Sequence, residues 1–213
     1  MTNSQVDKIY YARIPNGFGA RAEMVRLVYT LAAKPYEDII LGFAEVGAAI
    51  AGKNPFKQLP VVVTPSGEAI PQTMAIMHHA AHGTSAWPSD PDGLTKALVV
   101  AQGAYDLYQA FGGFAADDLV AKKKFEERRA PQYFNALGEI YSKTSFAAGE
   151  TPSFADCIAA EAVAWCVRRN EVCKGLFESN AGLTAFAERF EAIPAVKSFR
   201  ARQAEKRATD NAV

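Results

Sequence analysis

Net charge is the first thing this sequence lacks: 23 lysines and arginines balance 23 aspartates and glutamates. That balance leaves no electrostatic footprint for nucleic acid or an acidic membrane surface. The local basic run Lys122-Lys123-Lys124 and the pair Arg128-Arg129 have Glu126 and Glu127 among them, the pattern of a solvated helix face. Long apolar runs are missing too, so no membrane span is expected. The opening stretch Met1-Thr2-Asn3-Ser4-Gln5 is polar and has no apolar core of the kind a signal peptide carries. Cysteine is scarce, and its three copies, Cys157, Cys166 and Cys173, all fall late. An odd count without metal-ligand spacing suits reduced thiols in the cytoplasm better than a disulfide framework.

What is present is enough apolar material for a substantial core: 49% of 213 residues are hydrophobic. The first eighty residues alternate strand-like and helical patterns. Lys8 to Ala12 reads as a strand with Ile9 and Tyr11 on one face. A loop containing Pro15, Asn16, Gly17 and Gly19 leads to a helix over Ala20 to Ala33, with Val25, Val28 and Leu31 near one stripe. Tyr36 to Leu41 reads as a second strand. The alanine-rich stretch Ala44 to Gly52 is weakly periodic and fixes no state. The β-branched run Val61-Val62-Val63-Thr64, the turn Pro65-Ser66-Gly67 and the segment Glu68-Ala69-Ile70 form a hairpin signal. A helical pattern returns from Thr73 to His82.

Beyond Ser85 the texture changes. A turn-rich linker over 84–92, including Trp87-Pro88-Ser89-Asp90-Pro91-Asp92, separates an α/β domain over 1–83 from an all-α domain over 93–213. Helices are expected over Leu94 to Phe111, within Asp117 to Tyr141, over Ser153 to Arg169, and near Leu183 to Ala192 and Ala195 to Ala204. Ser153 with Asp156 three residues later forms a capping-box signal, with an acidic side chain in the glutamate position. The tail from Arg207 to Val213 is expected to fray.

Four short segments carry a family resemblance. Asn54-Pro55-Phe56-Lys57-Gln58-Leu59-Pro60-Val61-Val62 resembles the Pro-Phe-Gly-Gln-Leu-Pro-Val segment of the glutathione transferases, and Gln72-Thr73 stands where that family carries Gln-Ser. Ser153-Phe154-Ala155-Asp156 is similar to its Ser-x-Ala-Asp helix start. Ile193-Pro194-Ala195-Val196-Lys197 is similar to its Leu-Pro-x-Val-Lys. In that order and spacing they cover nearly the whole chain. The resemblance implies a thioredoxin-like N-terminal domain, a C-terminal helical bundle, and glutathione as co-substrate with no further cofactor. It also implies a small hydrophobic electrophile as second substrate, and a homodimer. The tyrosine classes, and among them the sigma class with its glutathione-dependent prostaglandin D synthases, look nearest. No cysteine lies near the first strand, which sets the cysteine-dependent classes apart, and no Ser-Ser-Cys segment marks a maleylacetoacetate isomerase.

Site residues follow from the same resemblance. Pro60 matches a cis-proline that turns the amide and carbonyl of Leu59 toward the cysteinyl backbone of glutathione, as a strand neighbour would. Gln58 accompanies it in the matched segment. Gln72 and Thr73 open a helix whose free amides and positive dipole end suit the γ-glutamyl carboxylate. Asp106, with Asp92 and Asp117 as nearby competitors, matches an aspartate that reaches across a dimer interface to the γ-glutamyl ammonium. Tyr11 matches the tyrosine whose hydroxyl donates to the glutathione sulfur and favours its thiolate, and Tyr10 falls on the opposite strand face. Arg21, at the start of the first helix, is placed to support that charge.

Two departures stand out. The loop from Ala12 to Ala20 is longer than the family's usual segment. The tryptophan and lysine before the Pro-Phe pair are replaced by Gly47 and Ala51, which leaves Lys53 as the group to reach the glycyl carboxylate. Ile14, Phe18, Tyr108 and Phe111 are candidates for the electrophile pocket. His78 and His82 share a helix face without a carboxylate or thiol companion, so no metal site is expected. The reaction read from these residues is thioether formation. Isomerisation of a prostaglandin-like endoperoxide, and a non-catalytic glutathione- or ligand-binding structural role, remain as alternatives.

Overall fold

The computed structural model describes residues 5–14, 20–115 and 117–210. Contacts divide the chain into two compact units, Met1–Thr84 together with Ala195–Val213, and Ser85–Pro194. The last helix, read from sequence with the second domain, therefore groups with the first unit.

The first unit is built on a four-stranded sheet in the order β2-β1-β3-β4. Its strands are β1 (Asp7–Ala12), β2 (Tyr36–Leu41), β3 (Val61–Val63) and β4 (Ala69–Pro71). Strand alternation buries Ile9 and Tyr11 on one face of β1. β1 and β2 are parallel, joined by the crossover helix α1 (Ala20–Leu31). β3 runs antiparallel to β1, and β4 antiparallel to β3. The β3–β4 turn closes with the Gly67 amide on the Thr64 carbonyl, and Gly67 takes a φ of 87° that a side chain would oppose. The stretch of undecided state before β3 contains a short helix, α2 (Phe43–Ala49), started by the Gly42 amide donating to Glu45 Oε2 at 2.6 Å. α3 (Thr73–Ala81) follows β4.

α1 is more buried than a single apolar stripe predicts, because it hides charge as well. Arg26 donates through Nε and Nη2 to Asp38 Oδ1 at 3.0 Å and through Nη1 to Glu23 Oε2 at 3.1 Å. Burial alone would lower the Arg26 pKa, but the two carboxylates outweigh it and hold the guanidinium charged. Tyr29 donates to Asp7 Oδ2 at 2.7 Å, and His79 Nε2 lies 2.8 Å from the same oxygen.

The second unit is helical. α4 (Pro91–Gly112) begins sharply at Asp90, whose Oδ1 accepts the Gly93 amide at 2.7 Å, with Pro91 in the first turn where its missing amide costs nothing. The helix expected within Asp117 to Tyr141 is instead α5 (Leu119–Lys124), a π-turn over Phe125–Arg129, and α6 (Ala130–Lys143). Pro131 gives the reason. In a regular α-helix its ring would meet the Glu127 carbonyl, and the wider turn, closed by the Ala130 amide on the Phe125 carbonyl, relieves that clash.

Further on, α7 (Phe154–Val167), α8 (Glu171–Glu178) and α9 (Ala181–Glu191) follow. The sequence reading missed α8; Asn170 starts it by accepting the Cys173 amide at 3.0 Å, as Asn180 starts α9 on the Leu183 amide at 3.1 Å. Gly138 and Gly182 let α6 and α9 touch, since a Cβ at Gly182 would collide with the Gly138 carbonyl. α10 (Pro194–Asp210) stays helical through Asp210, beyond the point where the tail was expected to fray.

Asp156 does more than cap α7. It is fully buried, and its Oδ2 accepts from the amide of Ser153 at 2.8 Å and from the hydroxyl at 2.9 Å. Its Oδ1 accepts from the Ala147 amide at 2.8 Å and from the Tyr141 hydroxyl at 3.0 Å. One carboxylate thus ties the end of α6, the connection after it and the start of α7. Burial pushes its pKa up, against the pull of these four donors. Asp156→Ala strands all four donors in the interior and is expected to lower the unfolding free energy by about 3 kcal/mol. Urea denaturation reads this directly, and an unfolding free energy within about 0.5 kcal/mol of the parent protein's would show the four bonds to be dispensable.

Candidate functional site

Strand register brings most of the sequence-derived site residues to one edge of the sheet. Val61 is paired with Tyr10 on one side and with Pro71 on the other. The C-terminal end of β1 with Tyr11, the N-terminal end of β3 with Pro60, and the C-terminal end of β4 leading to Gln72 therefore lie level. Because β1 and β2 are parallel, α1 runs back between them, and its N-terminus with Arg21 returns to the same edge. Phe18 and most of the loop before α1 lie outside the described residues.

The chain reaches β3 through a tight, self-bonded loop. Asn54 is 6% exposed, and its side chain clamps both sides of the turn. Its Oδ1 accepts the Phe56 amide at 2.8 Å, and its Nδ2 donates to the Gln58 carbonyl. Lys57 within this loop takes a φ of 53°. The Leu59–Pro60 bond is cis. Among the described residues, neither the N–H nor the C=O of Leu59 is hydrogen-bonded, although Leu59 is half-buried. The Gln58 side chain is exposed.

Across from this loop, Gln72 adopts φ 74° and ψ 122°, a conformation a non-glycine residue rarely holds. Strain of this kind persists only where the surroundings enforce it, and it clusters at ligand sites. Gln72 is exposed, whereas Thr73 is 4% exposed at the first position of α3. No side chain caps this helix, so the amides of its first turn and the Thr73 hydroxyl are available to a ligand. Strand register thus puts the open main-chain groups of Leu59 at the same end of the sheet as an uncapped helix N-terminus, a combination suited to a peptide backbone beside a carboxylate.

The remaining residues divide. Tyr11 is 8% exposed, on the strand face opposite half-buried Tyr10. Arg21 is half-buried and carries no ion pair among the described residues. Lys53 donates to the Ala49 carbonyl at 2.7 Å and lies 5.9 Å from the Tyr10 ring centre, leaving two of its protons free. Asp106 belongs to the second unit, on the exposed side of α4, where its Oδ1 accepts from Gln102 Nε2 at 2.8 Å. Tyr108 is buried on α4 beside Trp165, at 5.5 Å between ring centres. Phe111 sits against Phe114 and Phe125 at 5.9 and 5.3 Å. The His78 and His82 rings pack at 4.9 Å. Among the described residues, no group of three or more His, Cys, Asp or Glu is arranged to hold a metal.

Comparison with known proteins places the fold. Residues 105–203 match the family model described as glutathione S-transferase, C-terminal domain. The structure of rat hPGDS complexed with a quinoline superposes with a TM-score of 0.77 at 19% identity, over 92% of this chain and 96% of that one. The Pi-class glutathione S-transferase of Onchocerca volvulus gives 0.78 at 18% identity, over 96% and 95%. Monomeric Na-GST-3, a glutathione S-transferase of the hookworm Necator americanus, gives 0.75 at 23%, over 92% and 97%. The fold is that of the glutathione S-transferases. A search of curated protein sequences found no match.

Within this glutathione S-transferase fold, the residue that sequence reasoning passed over is Asn54. It lay in the matched segment, but only the structure shows that both ends of its amide hold the loop carrying Gln58 and Leu59. An Asn-Pro pair is a recognised turn start, and that was the available signal. Asn54→Ala removes both part-buried bonds and is expected to destabilise the protein by roughly 0.5–1.5 kcal/mol, the net worth of such a hydrogen bond. It should also speed hydrogen exchange at the Phe56 amide well beyond that global change. Unaltered exchange at Phe56 would show that the loop holds its shape without the clamp.

Proposed function

We propose that this protein is a glutathione transferase that joins the glutathione sulfur to small hydrophobic electrophiles. The observation that carries the reading is the open backbone of Leu59, brought by strand register level with the uncapped α3 N-terminus at Gln72 and Thr73. In this reading the cysteinyl backbone pairs with Leu59, and the γ-glutamyl carboxylate sits on the α3 amides and the Thr73 hydroxyl. Gln58 and Gln72 add side-chain contacts, and Lys53 reaches the glycyl carboxylate. Asp106 of one protomer serves the γ-glutamyl ammonium of its partner in a homodimer. Three buried free thiols, Cys157, Cys166 and Cys173, support a cytoplasmic setting.

Tyr11 is the proposed catalytic residue. Its hydroxyl donates to the sulfur and stabilises the thiolate, with Arg21 adding positive charge. The thiolate attacks an electrophilic carbon, a carbon–sulfur bond forms, and the leaving group departs with the bonding pair. The isomerase reading uses the same thiolate and is supported by the fold of rat hPGDS, so it makes a second substrate class to test rather than a second site.

The test is the thiolate ultraviolet absorbance of glutathione, titrated against pH with and without stoichiometric protein. Ionisation of the bound thiol well below its free value is expected. Binding without that shift would favour the structural, non-catalytic role. Tyr11→Phe should leave glutathione affinity within about threefold while slowing conjugation near pH 6.5 by roughly 10- to 100-fold, the worth of one hydrogen bond to a charged group. Unchanged conjugation in that variant would remove Tyr11 from the mechanism.

A further inference from the structure

The end of the sheet away from Tyr11 carries a cavity that the transferase reading does not use. It lies where β1 and β2 begin, since Asp7 is paired there with Tyr36, and its volume is about 570 Å³. That size is in the range that holds a small organic ligand. The loop between α1 and β2 supplies one wall and α10 the other, both within the first unit.

Its lining is two-natured. Pro35 and the half-buried Tyr36 ring give an apolar surface, and Tyr36 is braced edge-on by the fully buried Tyr29 at 5.4 Å between ring centres. The Tyr36 hydroxyl is a neutral donor throughout the physiological range, because burial and then Asp38 push its pKa up to about 12. Three cations, Lys34, Arg202 and Lys206, also line the space. Arg202 and Lys206 stand one helical turn apart on α10, are exposed, and carry no ion pair among the described residues. Lys34 spends one proton on the His79 carbonyl at 3.0 Å and keeps two.

The lining holds a single carboxylate, Asp38, and Arg26 already occupies its Oδ1 with two hydrogen bonds at 3.0 Å. Glu23 behind it is shared by Arg26 at 3.1 Å and Arg200 at 3.9 Å. The acidic groups on this side are therefore spoken for, and the cavity keeps an excess of positive charge beside an aromatic wall.

We infer that this cavity is a binding site for an aromatic oxyanion, an aryl phosphate or aryl sulfate. Its ring would lie on Tyr36 and Pro35, and its tetrahedral head would be held by Arg202, Lys206 and Lys34. An arginine fork next to an ammonium suits such a head group. The ring supplies the apolar contact that distinguishes this ligand from inorganic phosphate. The site stands independently of glutathione binding, since the two lie at opposite ends of the strands.

The probes are 4-methylumbelliferyl phosphate and 4-methylumbelliferyl sulfate, with uncharged 4-methylumbelliferone and inorganic phosphate as controls. Binding is followed by amide chemical-shift mapping on the full chain, in the presence of saturating glutathione. Saturable shifts are expected in segments 29–38 and 195–206, with both controls at least tenfold weaker, and the stronger ester identifies the head group preferred. Arg202→Ala combined with Lys206→Ala, both exposed positions, should weaken the preferred ester at least tenfold. Tyr36→Phe should retain most of the affinity. Shifts confined to the β1, β3 and α3 ends near Tyr11 and Gln72 would overturn the proposal. So would equal binding of the uncharged control, or an unchanged affinity in the double variant.

Discussion

The placement of chain ends by strand pairing is the constraint on which the rest depends. β3 has only three residues, yet it is paired on both sides, Val61 to Tyr10 and to Pro71. This double pairing of the backbone fixes the level of Pro60 against Tyr11 and Gln72. A slip of one residue would exchange the faces of Val61 and Val62, both fully buried on opposite sides of the sheet, and would carry Pro60 out of level with Tyr11 and Gln72. Hydrophobic burial in the sheet is thus what sets the geometry of the polar groups at its edge. Helix α3 inherits its start from the same source, because Gln72 is the first residue free of the β3–β4 ladder.

Each unit then anchors itself with a buried charge that is fully answered. In the first, Arg26 lies between Asp38 on β2 and Glu23 on its own helix, so the crossover helix is locked to the strand it feeds. In the second, Asp156 gathers four donors from three segments. Such arrangements add little stability over an apolar filling, but breaking one partner leaves an unpaired charge in the interior. Their value lies in specifying one packing among several that apolar residues alone would permit. The apolar contacts around Asp156, with Tyr141 stacked on Phe186 at 3.7 Å, could slide, whereas the hydrogen bonds could not.

The strand and hairpin periods were legible because they rest on local alternation: Ile9 and Tyr11 inward, Val61 and Val62 buried, a turn at Pro65 to Gly67. Helix starts were legible where the capping residue stood alone before an apolar run, as at Ser153. They were missed at Asn170, where the Asn follows Arg168 and Arg169 without an apolar stripe to announce a helix. The π-turn was invisible for a different reason. The apolar pattern runs on through Phe125, Ala130 and Phe134, and only the consequence of Pro131, six residues after Phe125, breaks the period. Arg26 also defeated pattern reading, because a charged residue that finds two carboxylates in space, one of them twelve positions away, looks in sequence like surface.

The same distinction bears on why so little sequence is shared with proteins of such similar shape. At 18–23% identity the chain still superposes with TM-scores of 0.75–0.78 over more than nine-tenths of its length. In the proposed site, the groups that would meet a ligand's backbone and carboxylate are the N–H and C=O of Leu59 and the amides opening α3. Main-chain groups are supplied by any residue the local conformation tolerates, so the demand falls on Pro60, on the Asn54 clamp and on the unusual Gln72 torsion rather than on specific side chains. In the proposed reading, side-chain chemistry is required at few points, and Tyr11 is the one whose replacement is expected to alter the reaction rather than the fit.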